Sequence, residues 1–425
     1  MKYNVSIEKE GKLYKVGTLE GRDHNDVSFS YDPAYLNDPE AAAISISLPL
    51  EKKSFDPDKT RIFFDGMLPE GFIRHSLADR MRLDENDYIS ILSNLGRECI
   101  GAVRITKDDE PVSEEYIPVT DKEIEQLAAE GAAKSTEIVT KTHLSLAGAS
   151  GKVGLYYEAG ADTWYLPVGT APSTHIVKQS HVRLREIVTN ERQSMLTAAK
   201  CGIDTAESFI INTGSATESE VLYATKRYDR VITDGSKRIG TLARPDRLHQ
   251  EDFAQALGIA PSHKYEREDD RYLAQMFRVL REYSSDPVRD QLKLWDMVIF
   301  NYLIGNTDAH IKNYSLPYSS DMRSIRLAPA YDIISTIVYE SSTREMSMKI
   351  GNAIDIDDVN AESFEQAASE AGLGRSMAMK RYDMMRGRFE SALREAAYEL
   401  NDEGFRTATD LCEKILALCK PQKNS

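Results

Sequence analysis

Short segments in which apolar and polar residues alternate open the chain and predict the strands of a small antiparallel sheet. These segments are Tyr3 to Ile7, Leu13 to Gly17 and Ile44 to Leu48, with Gly, Asn and Asp residues between them. Apolar residues then recur at helical spacing over Phe72 to Met81 and Tyr88 to Leu95. The pattern predicts a compact α+β subdomain over residues 1–106.

The next segment loses this regular pattern. Residues 107–115 are acidic and contain a proline, which is unfavourable for a long regular element. Thr120 and Glu123 then form the pattern of a capping box, so we expect a short helix that ends near Glu130. We interpret residues 107–140 as a connector.

Strand patterns return between residues 141 and 228 and are interrupted by one helical pattern. The predicted strands are Gly154 to Tyr157, Trp164 to Val168, Thr174 to Lys178 and Val221 to Thr225. The helix begins near Thr189 and ends at Gly202, since glycine readily adopts the left-handed conformation that terminates helices. A sheet interrupted by one helix is typical of the small lobe of a kinase.

Beyond residue 229 the periodicity becomes mainly helical. Residues 292–304 are the most apolar of these segments, and residues 379–400 form a long amphipathic stretch. We therefore predict an α+β protein with a two-lobed, protein-kinase-like fold. It would comprise the N-terminal α+β subdomain (1–106), the connector (107–140), a small lobe with a mixed sheet (141–228) and a mainly helical large lobe (229–425).

Composition and charge narrow the classes of function. The chain has 425 residues and a formal net charge of −15, so its surface as a whole repels phosphate backbones and extensive direct DNA binding is not expected. Its four cysteines form no CxxC pair, which argues against a zinc or disulfide framework. Neither a signal-peptide core nor a membrane-spanning run is apparent, so we expect a cytoplasmic protein without membrane contact.

The densest chemistry follows the apolar helix that ends at Gly305. Asp308 and Asn313 lie five positions apart, as in a phosphoryl-transfer loop where the acid accepts a hydroxyl proton and the amide helps to hold magnesium. His310, between them, is expected to brace the loop by hydrogen bonding and to border the nucleotide. A polar turn without catalytic function would also fit this segment.

A second carboxylate is predicted at the end of a short strand and turn over residues 325–332. Asp332 lies nineteen positions beyond Asn313 and could complete a magnesium site, because Mg²⁺ usually takes one or two carboxylates together with phosphate and water oxygens. Ile333 and Ile334 follow, so the glycine of a DFG motif is absent. We expect Asn313 and Asp332 to be the metal ligands.

Phosphate contacts are expected from a loop of small residues and from a strand. Residues 144–153 include Ser150, Gly151 and Lys152, and small residues let backbone amides approach phosphates closely. This is not a Walker loop, because Leu146 and Val153 occupy positions that would need glycine and Ser or Thr. Lys178 could grip the α- and β-phosphates, although strand-end lysines are commonly just solvated.

The segment 225–230 is open to two interpretations. It follows an apolar strand and could be the hinge whose backbone meets an adenine, with Lys226 and Tyr228 as contacts. A charged strand end describes it equally well.

In this order, the motifs resemble the HipA family of serine/threonine kinases, the toxins of bacterial type II toxin–antitoxin modules. The resemblance covers nearly the whole chain. The matching segments are residues 63–71, 96–103, 145–149, 175–178, 190–191, 226–230, 250–258, 306–313 and 329–332.

The resemblance implies roles for individual residues. Asp308 would be the catalytic base, Asn313 and Asp332 the Mg²⁺ ligands, and Lys178 the lysine that grips the phosphates of ATP. Ser145 falls where family members autophosphorylate, a modification that disables the kinase. Family members commonly have glutamine where this chain has Ser150, a difference that affects the contacts of the loop with ATP.

The family also implies a biological function. It predicts a kinase that phosphorylates a translation protein, such as an aminoacyl-tRNA synthetase, and so arrests growth. A HipB-like helix-turn-helix antitoxin would neutralise it, so that DNA contact would be indirect. Two alternatives are a catalytically weak pseudokinase that acts as a binding or co-repressor module, and a metallohydrolase that uses Asp308 and His310.

Overall fold

The residues fall into two groups that interleave along the chain. The computed structural model describes residues 1–95, 98–107, 113–130, 151–179, 184–213 and 220–419. Unit 1 comprises residues 1–179, 224–261 and 316–325, and unit 2 comprises residues 180–223, 262–315 and 326–425. The chain therefore passes from one unit to the other after residues 179, 223, 261, 315 and 325.

Strands are concentrated in the first two-thirds of the chain. They are β1 (Lys2–Lys9), β2 (Lys12–Glu20), β3 (Ser28–Tyr31), β4 (Ser54–Phe55), β5 (Val103–Thr106), β6 (Glu114–Pro118), β7 (Lys152–Glu158), β8 (Thr163–Gly169), β9 (His175–Gln179), β10 (Ser208–Asn212), β11 (Val221–Lys226), β12 (Arg230–Val231), β13 (Arg238–Ile239), β14 (Leu242–Ala243), β15 (Asp246–Arg247), β16 (Gln250–Asp252), β17 (Ser315–Pro317), β18 (Glu345–Ile350) and β19 (Ala353–Asp355).

Long helices are found mainly in unit 2. The α-helices are α1 (Pro33–Leu36), α2 (Pro57–Asp65), α3 (Gly71–Met81), α4 (Tyr88–Leu95), α5 (Asp121–Glu130), α6 (Ile187–Lys200), α7 (Phe253–Leu257), α8 (Tyr272–Tyr283), α9 (Pro287–Ile304), α10 (Ala361–Glu370), α11 (Arg375–Asp402) and α12 (Thr407–Leu418). No helix within the described ranges is both long and apolar enough to cross a bilayer.

Unit 1 is built on two sheets. The first has the order β4-β3-β2-β1-β5, and β1 pairs antiparallel with both β2 and β5, so that Val5 lies opposite Gly17 and Ile105. The second contains β11, β9, β7, β8 and β6 in that order. Antiparallel pairing of β7 with β9 places Lys152 opposite Lys178.

Unit 2 has a helical core in which aromatic rings interlock. Trp295 of α9 is fully buried and meets Phe277 of α8 and Phe364 of α10 edge-on, with ring centroids 6.4 and 5.9 Å away. Its indole N–H donates to the backbone oxygen of Ala378 in α11 at 3.1 Å. This arrangement fixes α9, the helix that leads to Asp308, against its neighbours, because a buried indole needs a partner for its N–H.

Much of the predicted secondary structure is confirmed. The capping box forms as expected, with the backbone N–H of Thr120 donating to the Glu123 carboxylate at 2.8 Å and the helix ending at Glu130. The predicted α+β class is also confirmed. However, residues 114–118, inside the segment interpreted as a connector, form strand β6 and pair with β8.

Two predicted strands are wrong. Ile44 to Leu48 alternates but forms a turn, because the Tyr31 hydroxyl and the Glu251 carboxylate accept the backbone N–H groups of Ile44 and Ile46. Residues 325–330 form only isolated bridges at Ile325 and Ala330. In both segments, contacts from distant residues take the hydrogen bonds that a neighbouring strand would have made.

Short strands also replace the helices predicted just after residue 229. The strands β12 to β16 occupy residues 230–252, and residues 224–261 belong to unit 1. The reason is a buried charge network that needs this segment beside the first sheet.

The network is centred on Glu98, which is 1% exposed and accepts hydrogen bonds from three arginines. The shortest contacts are 3.0 Å to Arg227, 2.9 Å to Arg230 and 2.6 Å to Arg247. Burial alone would raise the pKa of Glu98, but the three guanidinium groups outweigh it and lower the pKa to about 2. Glu98 is therefore charged in the folded protein at any ordinary pH.

The same network joins strand β1 to the segment after β11. Glu8 of β1 accepts hydrogen bonds from Arg244 at 2.8 Å and Arg247 at 3.1 Å. Asp229 binds Arg227 at 2.8 Å and accepts the backbone N–H of Gly101 at 2.8 Å. A charged group that is shielded from water is stable only when it is paired with an opposite charge. The segments that carry the two partners must therefore fold together.

We expect Glu98→Gln to destabilise unit 1 strongly. The amide removes the charge that compensates three buried guanidinium groups, and breaking buried ion pairs from one side costs about 3–5 kcal/mol. Urea unfolding followed by tryptophan fluorescence and circular dichroism would measure the change. Glu115→Gln, at an exposed position of β6, is the matched control and should change the stability by less than about 0.5 kcal/mol. Equal midpoints for both variants would contradict the assignment.

Candidate active site

The loop that carries Asp308 begins where α9 ends. Gly305 terminates the helix with φ 74°, in the left-handed region, and its N–H donates to the backbone oxygen of Tyr302 at 3.1 Å. A Cβ atom at this position would lie 2.3 Å from Cδ1 of Ile337, so no other residue fits without a shift. The helix end predicted at Gly305 is confirmed.

Asp308 is exposed and is oriented by its own loop. Its backbone N–H donates to Oδ1 of Asn306 at 3.2 Å, and the Asn313 amide donates to its backbone oxygen at 3.0 Å. The carboxylate thereby faces outward while the backbone is fixed from both sides. A carboxylate that is exposed on a fixed loop can be reached by a proton-donating group of another molecule.

A second layer of contacts fixes the start of the loop. The backbone N–H of Thr307 donates to Oγ1 of Thr336 at 2.7 Å. Its backbone oxygen accepts both the N–H and the hydroxyl of Ser347, each at 2.8 Å. Strand β18 and the turn after Asp332 therefore hold the loop in place.

His310, in the middle of this loop, is buried. Its backbone N–H donates to the Asp308 oxygen at 2.9 Å, and its own oxygen accepts the N–H of Asn313 at 2.8 Å. Its ring meets the ring of Tyr265 edge-on, with centroids 5.6 Å apart. The bracing expected of His310 is thus seen in its backbone, and its contact with a nucleotide stays a prediction.

Tyr265 contacts the same loop from a distant part of the sequence. Its hydroxyl donates to Oδ1 of Asp308 at 3.1 Å, and its side chain is 49% exposed.

Asp332 has an unusual backbone conformation, with φ 58°. This left-handed region is uncommon for residues other than glycine, although Asp and Asn tolerate it best, and it is often seen at functional sites. Just before it, Ala330 forms a parallel bridge with Thr205, and its N–H donates to the Asp204 oxygen at 2.8 Å. The contacts on the flanking chain hold Asp332 in this conformation.

Asn190 fixes the chain on the other side of Asp332. Its side-chain amide donates to the backbone oxygen of Ser335 at 2.9 Å, and its Oδ1 accepts the N–H of Ser335 at 3.0 Å. Both residues are fully buried. A two-way contact of this kind restricts the position of the whole turn.

Asn313 and Asp332 line one small cavity of about 10 Å³, roughly the space of one water molecule or ion. Amide and carboxylate oxygens are the ligands that Mg²⁺ prefers, and the ion commonly takes only one or two carboxylates from protein. The two residues therefore fit a Mg²⁺ site that is completed by other oxygens. Within the described part of the chain, no group of three or more His, Cys, Asp or Glu residues is arranged to hold a metal.

Three residues predicted to contact phosphates, Gly151, Lys152 and Lys178, lie in unit 1, and two of them are neighbours across a sheet. Lys152 and Lys178 are direct partners on β7 and β9, so their side chains leave the same face of the sheet. Two cationic side chains on one face of a sheet favour the binding of an anion there. Gly151 directly precedes β7.

The hinge candidate separates into two kinds of residue. Arg227, Asp229 and Arg230 are buried in the charge network. Lys226 is exposed, and Tyr228 is half-buried with its hydroxyl hydrogen-bonded to the Gln250 side chain. The charged residues of the segment thus take part in a buried network, and the adenine contacts of Lys226 and Tyr228 stay a prediction. Ser145 and Ser150 lie outside the described residues.

The sequence did not indicate several residues that shape this site. Tyr265, Thr336 and Ser347 reach the loop through tertiary contacts, with no local motif to reveal them. Among the residues that support the site, Asn190 did have a signal in the sequence, because it belongs to the Asn190-Glu191 motif of the family resemblance.

Comparison with known proteins identifies two matching family models. The HipA N-terminal domain matches residues 11–106, and the HipA-like C-terminal domain matches residues 144–393.

Full-length relatives agree with these matches. Y4mE of Sinorhizobium fredii, named as a kinase candidate, is 33% identical over 89% of this chain and 88% of its own length. The serine/threonine-protein kinase toxin HipA of Shewanella oneidensis is 26% identical over 83% of this chain and 80% of its own length. A solved structure of Shewanella oneidensis HipA, in complex with HipB and operator DNA, has a TM-score of 0.80, with 23% identity over 98% of this chain and 96% of that one. The predicted HipA-like fold is confirmed.

Glu266 ties the Tyr265 segment to strand β18. Its carboxylate accepts the backbone N–H groups of Lys349 at 2.7 Å and Tyr272 at 3.3 Å, and its own N–H donates to the Ser347 oxygen at 2.9 Å. Burial raises the pKa of Glu266 from 4.5 to about 7, despite these two donors.

We expect the titration of Glu266 to make stability depend on pH. Because its pKa is raised on folding, the folded state binds more protons between about pH 4.5 and 7, and stability falls as pH rises through this window, by at most about 3 kcal/mol. Glu266→Gln should remove that part of the slope in urea unfolding at several pH values. Glu268→Gln, at an exposed neighbouring position, should keep it. The same slope in the Glu266→Gln variant and the wild type would refute the assignment.

Proposed function

The chain belongs to the HipA family of kinase toxins, and we propose that it is a serine/threonine protein kinase that transfers the γ-phosphate of ATP to a protein and so arrests growth. Kinases and kinase toxins among its relatives support this reaction class. The observation that carries the proposal is the loop at Asp308. Asp308 is exposed on this loop, and Asn313 of the same loop lines one cavity together with Asp332.

Asp308 is the proposed catalytic base. The reacting serine or threonine hydroxyl would donate its proton to this carboxylate while its oxygen forms the new bond to phosphorus. Asn306 and Asn313 hold the Asp308 backbone, so the carboxylate would need little rearrangement. Positioning of this kind supplies much of the catalysis in phosphoryl transfer, since the protein contributes little covalent chemistry.

Asn313 and Asp332 are the proposed Mg²⁺ ligands. His310, which lies between Asp308 and Asn313 in the same loop, would border the nucleotide. Bound Mg²⁺ would neutralise charge on the phosphates of ATP. Lys178 and Lys152 would hold those phosphates, and their opposed positions on β9 and β7 support this role.

The remaining nucleotide contacts are proposed on the strength of the family resemblance. Ser150 and Gly151 would form the loop over the phosphates. Lys226 and Tyr228 would border the adenine, and their side chains are less buried than those of Arg227, Asp229 and Arg230.

The proposed partners also follow from the relatives. The complex of Shewanella oneidensis HipA with HipB and operator DNA suggests a HipB-like antitoxin for this chain. DNA contact would then be indirect, in agreement with the net charge of −15. The proposed target is a translation protein, with an aminoacyl-tRNA synthetase as the first candidate.

We expect Asp308→Asn to abolish phosphate transfer. Removing a general base typically lowers the rate by about 10²–10⁴-fold, and asparagine keeps the shape of the side chain. Purified protein with Mg²⁺ and radiolabelled ATP would be assayed for labelling of itself and of a cell lysate. Asp269→Asn, at an exposed position of the same unit, is the matched control. If the wild type labels nothing and Asp308→Asn behaves identically, the chain is a pseudokinase-like binding module.

Ser145→Ala should prolong kinase activity. By resemblance, phosphorylation of Ser145 inactivates the enzyme, and a phosphoserine near phosphate-binding amides would compete with ATP. Phosphopeptide mass spectrometry and a time course of substrate labelling would test this, with Ser113→Ala at an exposed serine as control. Equal phosphate incorporation and equal decay of activity in wild type and Ser145→Ala would exclude Ser145 as the off-switch.

A further inference from the structure

The Tyr265 hydroxyl occupies a position at the proposed base that the reaction itself needs. It donates to Oδ1 of Asp308 at 3.1 Å. A substrate serine or threonine must make the same type of hydrogen bond, O–H to carboxylate oxygen, before its proton can move. The tyrosine hydroxyl and the substrate hydroxyl would therefore compete as donors to the same acid.

The backbone of Tyr265 is fixed to the loop that carries this acid. Glu266, the next residue, receives two backbone N–H groups and donates its own to Ser347, and Ser347 in turn binds Thr307 through both its N–H and its hydroxyl. The backbone of Tyr265 is therefore held in a constant position relative to Asp308. Both partners of its hydrogen bond, Tyr265 and Asp308, belong to unit 2.

The side chain, in contrast, can move. It is 49% exposed, and Asp308 is also exposed. A hydrogen bond between exposed groups is exchanged readily because water competes for both partners. Rotation of the phenol into solvent would break its hydrogen bond to Oδ1 and leave the anchored backbone unchanged.

Holding Asp308 in position is a poor explanation for this contact. Asn306 and Asn313 already fix the backbone of Asp308, so Tyr265 is not needed to hold the loop in place. A third group that only held the carboxylate would compete with the substrate for the same oxygen. The geometry instead favours a residue that is displaced when an acceptor arrives.

We propose that Tyr265 is a specificity-determining residue that occupies the acceptor position until a protein hydroxyl displaces it, and that it thereby disfavours phosphate transfer to water. A docked protein gains contacts over a wide surface that can offset the lost hydrogen bond, whereas a single water molecule gains almost none. The inference deepens the proposed kinase function and rests on it.

Tyr265→Phe tests this directly, because it removes the hydroxyl and keeps the ring that meets His310. ATP hydrolysis without acceptor should rise about 3- to 10-fold, the size expected for losing one hydrogen bond. With dephosphorylated casein as the acceptor, KM should fall by a similar factor and kcat should stay within about twofold. Tyr283→Phe, at a tyrosine of the same unit that is 45% exposed, should change neither quantity.

Three results would overturn the inference. Unchanged hydrolysis and KM in Tyr265→Phe would show that the hydroxyl does not compete with acceptors. A lower kcat at unchanged KM would make Tyr265 a positioning residue instead. Phosphate found on Tyr265 by mass spectrometry would make it an acceptor.

The proposed function and this inference can fail separately. If the wild type turns over no ATP and Asp308→Asn is identical, the proposed function itself fails. If the wild type is active and the Tyr265→Phe variant is unaffected, this inference alone fails.

Discussion

The pairing of buried arginines with buried carboxylates is the interaction on which unit 1 depends. Glu8, Glu98 and Asp229 come from three separate stretches of sequence, and each is held by guanidinium groups that are themselves inaccessible to solvent. Hydrophobic contacts tolerate small shifts, but a buried charge without its partner is severely unfavourable. This constraint explains why residues 224–261 join the N-terminal strands, and why Lys226 and Tyr228 alternate with buried charged neighbours.

Unit 2 uses neutral hydrogen bonds for a corresponding purpose. Asn190 holds the chain after Asp332, Thr336 and Ser347 hold Thr307, and Asn306 and Asn313 hold Asp308. These contacts fix backbone atoms and leave the two carboxylates facing outward or into a cavity. Fixed charges in a site need less rearrangement during reaction, so the arrangement suits phosphoryl transfer. The left-handed backbone at Asp332 is maintained by the same contacts.

Local features of this fold were readable from the sequence, and tertiary ones were not. The capping box at Thr120 and the helix end at Gly305 depend on nearby residues, so their patterns were sufficient. Ile44 to Leu48 has the alternation of a strand but forms a turn, because Glu251 and Tyr31 satisfy its backbone. The order of the motifs and the family resemblance indicated Asp308, Asn313 and Asp332. Tyr265 lies 43 residues before Asp308 and carries no motif, so only the structure reveals their contact.

The repeated passage of the chain between the units bears on how the protein is made. Unit 1 receives its last segment, residues 316–325, after the whole loop at Asp308 has been synthesised. Asp332, Thr336 and Ser347 come later still. Domains generally fold as units during synthesis, so neither unit is complete until most of the chain has emerged. A ribosome-bound or truncated chain that lacks these later segments would therefore lack an assembled site, and the proposed kinase would become active only after they have been synthesised.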